Sequence, residues 1–434
     1  MRNVLRVAGL ACLAVLMTAG GALASGFALY EWDARGIAMG GAVMASPRDA
    51  STIAANPAGM TDVEGMSLVA GVTGINPMAK INFDGAYNDA SGKSNVWLPP
   101  HTYFSAQLND KWWLGLGAFS RFGLGTEYDE QWTGRYNVTE ASIQSLSVNP
   151  NLAYKLNDKW SFAVGGEVMW LEFLQRKTVD HGLGVGGPWG VKNNPNTTNT
   201  DTDAKLLGDS IGLGLTLSAY HKPLDWLSLA LTYRSQIKHT VEGDATFTRQ
   251  GTLAPPVAGA FGTDSEAEGD LILPDSVSFG VAVKPMDKLT LEGDVVWTRW
   301  STYQELRIKY KNRLVPGVAS SNQSTSVKDW RDTFRYQIGA EYALYDWLDL
   351  RAGFVYDQEA IAPDHADYMI PTNDRMLYSG GLGFHWDQWT LDLAYTYLES
   401  KNRDYAARQN EGVFDSKAVD LETHIVGVTV GYKF

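Results

Sequence analysis

Residues 389–397 read Trp-Thr-Leu-Asp-Leu-Ala-Tyr-Thr-Tyr, and the fold turns on how this stretch is read. Trp389, Leu391, Leu393, Tyr395 and Tyr397 fall on one parity; Thr390, Asp392, Ala394 and Thr396 fall on the other. A repeat of two is the repeat of a strand, whose successive side chains leave the pleat on opposite faces. One face of this strand is large and apolar, and the other is small or polar. The pattern recurs along the chain. Met66, Leu68, Ala70 and Val72 alternate with Ser67, Val69, Gly71 and Thr73, and Leu348, Leu350, Ala352, Phe354 and Tyr356 with Asp349, Arg351, Gly353 and Val355. The final segment sets Val426, Val428, Val430, Tyr432 and Phe434 against Gly427, Thr429, Gly431 and Lys433.

Fourteen such segments are expected, near 64–75, 101–109, 111–121, 139–155, 158–177, 204–221, 225–242, 272–284, 287–309, 326–343, 346–357, 375–386, 389–400 and 419–434. Their connections alternate in length. Tight turns such as Asn109-Asp110, Asn157-Asp158, Tyr345-Asp346 and Asp387-Gln388 are followed by polar loops of 15 or more residues, as at 178–203 and 243–271. Short turns at one end and long loops at the other are the mark of an outer-membrane barrel. A soluble β-sandwich or propeller would share the alternation. It would not suit a second face that carries Glu167, Arg234, Glu292, Asp294, Arg335, Glu341, Arg351 and Asp392, which fits a lumen better than a buried layer.

Residues 1–24 read as a signal peptide: basic Arg2 and Arg6, an apolar Val7–Met17, and Ala22-Leu23-Ala24 before Ser25. Cys12, the only cysteine, lies within it, so the exported chain is expected to hold neither a disulfide nor a thiol nucleophile. Of 36 basic residues two lie in that segment, leaving 34 against 49 acidic ones, a balance that argues against a nucleic-acid partner. Residues 25–62 are a different material. They are rich in Gly and Ala and interrupted by Pro47 and Pro57, and are too few to build a core alone. We read them as a hatch of short helices, and 63–434 as the barrel that it plugs. The expected fold is thus an all-β, 14-stranded antiparallel transmembrane β-barrel in the bacterial outer membrane. A barrel of that size left empty would leak.

Several short motifs, in order, carry a family resemblance: Ser25-Gly26-Phe27, Asn56-Pro57-Ala58, Trp132-Thr133-Gly134-Arg135-Tyr136, Asp294 to Ser301 (DVVWTRWS) and Leu350 to Phe354 (LRAGF). Over the whole exported length the chain resembles the FadL family of outer-membrane transporters for long-chain fatty acids and other hydrophobic compounds. The resemblance implies ligand binding at the extracellular loops, passage to a pocket against the hatch, and lateral exit where the third strand kinks. It implies a gating or ligand-contacting role for Phe27 and for Asn56, Pro57 and Ala58.

On their residues alone, Phe27 could equally be packing and Asn56-Pro57-Ala58 a plain turn. Gly115 and Gly117 could admit a kink in the third strand, since glycine weakens strands. Arg234, Arg335 and Arg351 are inward by parity and could meet a ligand carboxylate, although inward acids offer them structural partners. The seven histidines are dispersed, Ser379 with His385 makes a poor catalytic pair, and no cofactor or metal is expected. Gly182–Gly190 lacks the Lys-Ser/Thr of a phosphate loop. The expected function is passive uptake of long-chain fatty acids. Uptake of aromatic hydrocarbons on the same fold is the nearest alternative, ahead of a general porin or a lipid hydrolase. Outer-membrane lipids, lipopolysaccharide and the barrel-assembly machinery, through Phe434, are the expected partners.

Overall fold

The computed structural model describes residues 26–85, 87–180, 201–249, 264–312 and 322–434. Residues 1–24, read from sequence as a signal peptide, and the Gly182–Gly190 run lie outside the described residues. Fourteen antiparallel strands form a closed barrel. They are β1 (Met66–Phe83), β2 (Pro100–Gln107), β3 (Trp112–Phe119 and Gly123–Glu127), β4 (Glu140–Lys155), β5 (Trp160–Asp180), β6 (Asp201–Leu224) and β7 (Leu227–Arg234 and Ile237–Arg249). There follow β8 (Ser265–Leu273 and Ser276–Met286), β9 (Leu289–Thr298 and Glu305–Tyr310), β10 (Gln323–Val327 and Thr333–Tyr345), β11 (Leu348–Asp357), β12 (Arg375–Trp386), β13 (Trp389–Ser400) and β14 (Ser416–Lys433). Each pairs with the next over at least part of its length, and β14 returns to β1 in the register Val72↔Val428, which closes the sheet into a ring. Closure satisfies the backbone within the sheet, which a bilayer demands.

The alternation orients every strand. Trp389, Leu393, Tyr395, Leu350, Phe354, Val426 and Val430 are exposed on the outer face, as lipid contact requires, while Glu167, Glu292, Asp294, Arg335, Glu341, Arg351 and Asp392 are buried within. The tight turns have a local cause. Asn109 Oδ1 accepts from the amides of Lys111 and Trp112, and Asn157 Oδ1 from those of Lys159 and Trp160. An Asn side chain that bonds its own backbone two residues on closes such a turn without help.

The strands run further than hydropathy indicates. β1 continues to Phe83, and β7 and β8 extend well above their expected ends. At the breaks in β7 (Ser235-Gln236) and β8 (Pro274-Asp275) the inward parity flips. Arg234 points in, then Ile237, His239 and Ala245; Leu271 and Leu273 point in, then Gly280 and Ala282. Beyond the break Lys238, Thr240 and Glu242 face outward. The apolar side there is the inner one, the reverse of the lipid-facing part.

Residues 26–62 lie against the inner wall. They form α1 (Ala34–Ala38), capped by Asp33, α2 (Thr52–Ala55), and a 3-10 turn, Pro57–Asp62, with Pro57 at its first position. Their backbone is satisfied by lumenal side chains from around the barrel. Thr429 of β14 accepts from Ala34 N–H (2.9 Å), Ser67 of β1 from Ala50 N–H (3.1 Å), and Glu292 and Asp294 of β9 from the amides of Ala45 and of Val43 and Met44. Glu341 of β10 holds Arg35 at 2.9 Å and Arg48 at 2.6 Å. Buried donors without partners would each cost about 1–3 kcal/mol. The inward acids thus bind this segment and keep it oriented.

A break in the barrel wall and the cavity beside it

β2 and β3 are paired only from Thr102↔Ala118 to Gln107↔Trp113. Two features end that ladder. Pro100, on the β3-facing parity of β2, has no N–H to offer, and β3 is interrupted at Ser120–Phe122, after which Gly123–Glu127 pairs with β4 alone. The N-terminal segment enters the break. Leu29 N–H donates to Arg121 O (2.8 Å), Gly123 N–H donates to Phe27 O (3.0 Å), and Trp32 Nε1–H donates to Ser120 O (3.1 Å). Carbonyls and amides freed by the interruption are thereby paired again.

A cavity of about 460 Å³ opens at this place. On its inner side stand Phe27, Phe122, Ile143, Leu377 and Leu421; at its outer side stand Leu98, Leu146 and Trp170, which are exposed on the lipid face. It is therefore bordered by residues from both faces of the wall. Such a volume falls within the range of about 300–1,000 Å³ for small-molecule sites.

Phe27 forms the floor. Its ring is buried at 4% exposure among Trp300 (4.8 Å between centroids), Trp330 (5.5 Å), Phe122 (6.0 Å) and Tyr303 (6.1 Å), mostly edge to face. Asn56 bonds the carbonyls of Met44 and Ala219, and Ala58 N–H donates to Ser218, so the Asn56-Pro57-Ala58 turn sits on β6. β3 is met instead by its neighbours in sequence. A Cβ on Gly115 would collide with Met60 Sδ, and one on Gly117 would lie 3.1 Å from Ile53. The absence of a side chain at Gly115 is what allows the segment to lie directly on this strand.

The three arginines occupy different settings. Arg351 is enclosed by Glu341 (2.7 Å), Asp349 (3.3 Å) and Asp392 and does not reach the cavity. Arg234 donates to the carbonyls of Ile53 and Ala54 at the end of α2 and lies 3.8 Å from Glu167. Arg335 lines the cavity, held by Asp357 at 2.9 Å and stacked over Tyr30. Arg375, which the sequence did not mark out, stands beside it on the same Asp357. Ser379 bonds Thr396 and His385 bonds Asp349, so those two side chains are occupied separately. Pro99-Pro100, Trp97 and Trp330 also went unmarked, and Trp300 was noted only as part of the DVVWTRWS motif. The adjacent prolines were the legible signal, since Pro100 removes the donor that the ladder with β3 would need next.

The chain matches, over residues 15–434, the model of the outer membrane protein transport protein family (OMPP1/FadL/TodX). It belongs to that family. An outer membrane protein of Neisseria meningitidis serogroup B is 27% identical, with 95% of each chain covered, and a long-chain fatty acid transport protein of Escherichia coli is 24% identical, with 97% of each covered. Among solved structures, a FadL homologue of Pseudomonas aeruginosa superposes with a TM-score of 0.81 at 20% identity, covering 94% of this chain and all of that one. The Pseudomonas putida toluene transporter TodX gives 0.72 at 18% identity, covering 94% and 99%. At those identities the structural matches speak to the fold. This FadL-family chain is an outer-membrane transporter of hydrophobic compounds.

Proposed function

We propose that the protein takes up long-chain fatty acids passively, with residues 25–62 as the hatch and the break between β2 and β3 as a lateral exit. The observation that carries this reading is the cavity bordered by both faces of the wall. A ligand seated on Phe27 has its tail among Leu377, Leu421 and Ile143, and the outer end of the same space opens on Leu98, Leu146 and Trp170. Leaving sideways, an alkyl chain exchanges one apolar surrounding for another. Leaving downward past the hatch would expose it to water, at about 25 cal/mol per Å². Phe27 closes the floor, Asn56-Pro57-Ala58 fixes the hatch to β6, and Gly115 with Gly117 lets Met60 and Ile53 lie on β3. Arg335 and Arg375 line the cavity, and their guanidinium donors suit a carboxylate, which supports a fatty acid over a neutral hydrocarbon.

The test is a clamp. With Met60→Cys and Gly115→Cys, oxidation would tie the hatch to β3, and bridge formation requires Cα atoms within about 7 Å. The oxidised protein is expected to lose uptake of labelled fatty acid and to regain it on reduction, at constant surface level. Full uptake by quantitatively oxidised protein refutes the lateral route.

A further inference from the structure

Between the last β2–β3 pair, at Thr102↔Ala118, and Glu127, the wall is not joined by a backbone ladder. The chain facing Gly123–Glu127 across this interval is 92–99, and it is bonded to the other neighbour. Ile75 and Trp97 exchange both N–H···O bonds at 2.9 Å, Thr73 N–H donates to Pro99 O, and Gly92 N–H donates to Ala79 O. Val96 and Leu98, at 60% and 62% exposure, point outward and cover Gly74. The upper end of the interval is pinned by Glu127, whose carbonyl accepts from Lys93 N–H and whose carboxylate takes Lys93 Nζ (2.7 Å) and Asn95 Nδ2 (2.6 Å).

One side chain narrows the interval. Trp97 alternates inward between Val96 and Leu98, lines the cavity, and lays its indole on Gly125, where any Cβ would collide with the ring. Its Nε1–H is buried and makes no hydrogen bond. An indole N–H normally finds a partner when buried, so the ring is held there by shape alone and loses nothing polar on swinging away. Every other tie across the interval is at its ends.

We infer that Trp97, resting on Gly125, is the door of the slot and sets the cross-section of what leaves the cavity: slender unbranched alkyl chains pass, and bulky ring-bearing amphiphiles do not. This rests on the lateral route proposed above. The test compares initial uptake of a radiolabelled straight-chain acid with that of a pyrene-terminated acid of similar length, at matched surface level. Trp97→Ala is expected to raise the pyrene-to-straight-chain ratio roughly tenfold, the scale on which pocket size discriminates. Trp97→Phe retains a ring without the N–H and is expected to keep the ratio near that of the unaltered protein. An unchanged ratio in folded Trp97→Ala overturns the inference, and so does a Trp97→Phe protein that behaves like Trp97→Ala. Adding the oxidised Met60–Gly115 cysteine clamp to Trp97→Ala should abolish the extra pyrene flux; survival of that flux shows a leak through the lumen and also overturns it. The clamp without Trp97→Ala reports separately on the lateral route, so failure of the door and failure of the route give different results.

Discussion

Replacing Phe27 by Ala should release the first residues of the N-terminal segment without disturbing the barrel. The ring is buried among four aromatic neighbours, and truncating such a Phe costs about 3–5 kcal/mol. The lower end applies here, because Trp300 and Trp330, 4.9 Å apart, can lean into part of the vacated space. The strands hold one another by ladders in which Phe27 takes no part, so the loss falls on docking of residues 26–32 alone. Two backbone bonds report it directly: Leu29 N–H to Arg121 O and Gly123 N–H to Phe27 O. Hydrogen exchange by local opening measures the docking free energy at those amides, and 3 kcal/mol corresponds to about 150-fold faster exchange. The amides of Val72 and Val428, in the β1–β14 ladder, should exchange at unchanged rates. Undiminished protection at Leu29 and Gly123, with the ring gone and the ladder intact, would show that the aromatic cluster does not hold the segment in the break.

Arg335→Gln should weaken competition by long-chain fatty acid roughly tenfold, the worth of one charge-assisted hydrogen bond, and leave uptake of a neutral hydrocarbon unchanged. Asp357 keeps Arg375, and an equal loss for both ligands would refute a carboxylate contact. Burial, with Asp49 nearby, raises the Asp33 carboxyl from 3.8 to about 6, so the docked segment holds a proton that the released one has given up. Docking should therefore weaken as pH rises from 3.8 to about 6, by up to about 3 kcal/mol. Asp33→Asn, which retains an acceptor for Gly36 N–H, should make protection of that amide independent of pH after correction for intrinsic exchange; a persisting slope would place the proton elsewhere. Glu341→Gln leaves Arg35, Arg48 and Arg351 without their shared charge, and breaking such a buried pair costs about 3–5 kcal/mol. Ion conductance in planar bilayers should rise, and conductance equal to that of the unaltered protein would show that the ion pairs do not seat the segment.

The barrel was legible because lipid imposes one rule on every strand it touches. Wherever that rule operates, as at Trp389–Tyr397 or Leu348–Tyr356, alternation names the outer face and, by difference, the buried acids and bases within. It fails above the membrane, where β7 presents Lys238 and Thr240 to water and turns Ile237 and Ala245 inward. The signal there inverts rather than fades, so an analysis based on one apolar face ends the strand too early. Roles inside the lumen were less legible than positions. Asp294 lies about 250 residues from the amides it accepts from, and no local pattern announces such a pairing. Likewise parity places Arg335 and Arg351 on one face, but only the fold shows that Arg351 is surrounded by three acids while Arg335 reaches the cavity.

The location of the break follows from what a bilayer forbids. An interrupted ladder leaves donors and acceptors that, in hydrocarbon, cost several kcal/mol each. Here each side of the interruption is treated differently. On the β2 side Pro100 has no N–H to orphan towards β3, and the chain before it pairs with β1. On the β3 side the missing bonds are replaced: Arg121 and Ser120 give their carbonyls to Leu29 and Trp32, and Gly123 gives its N–H to Phe27. The donors that mend the strand belong to the same segment whose Phe27 floors the cavity. Moving that segment would therefore unpair β3 at the break and open the floor together, so the wall and the floor of the cavity cannot be altered independently. The segment is held as much by the backbone it completes as by the apolar surface it buries.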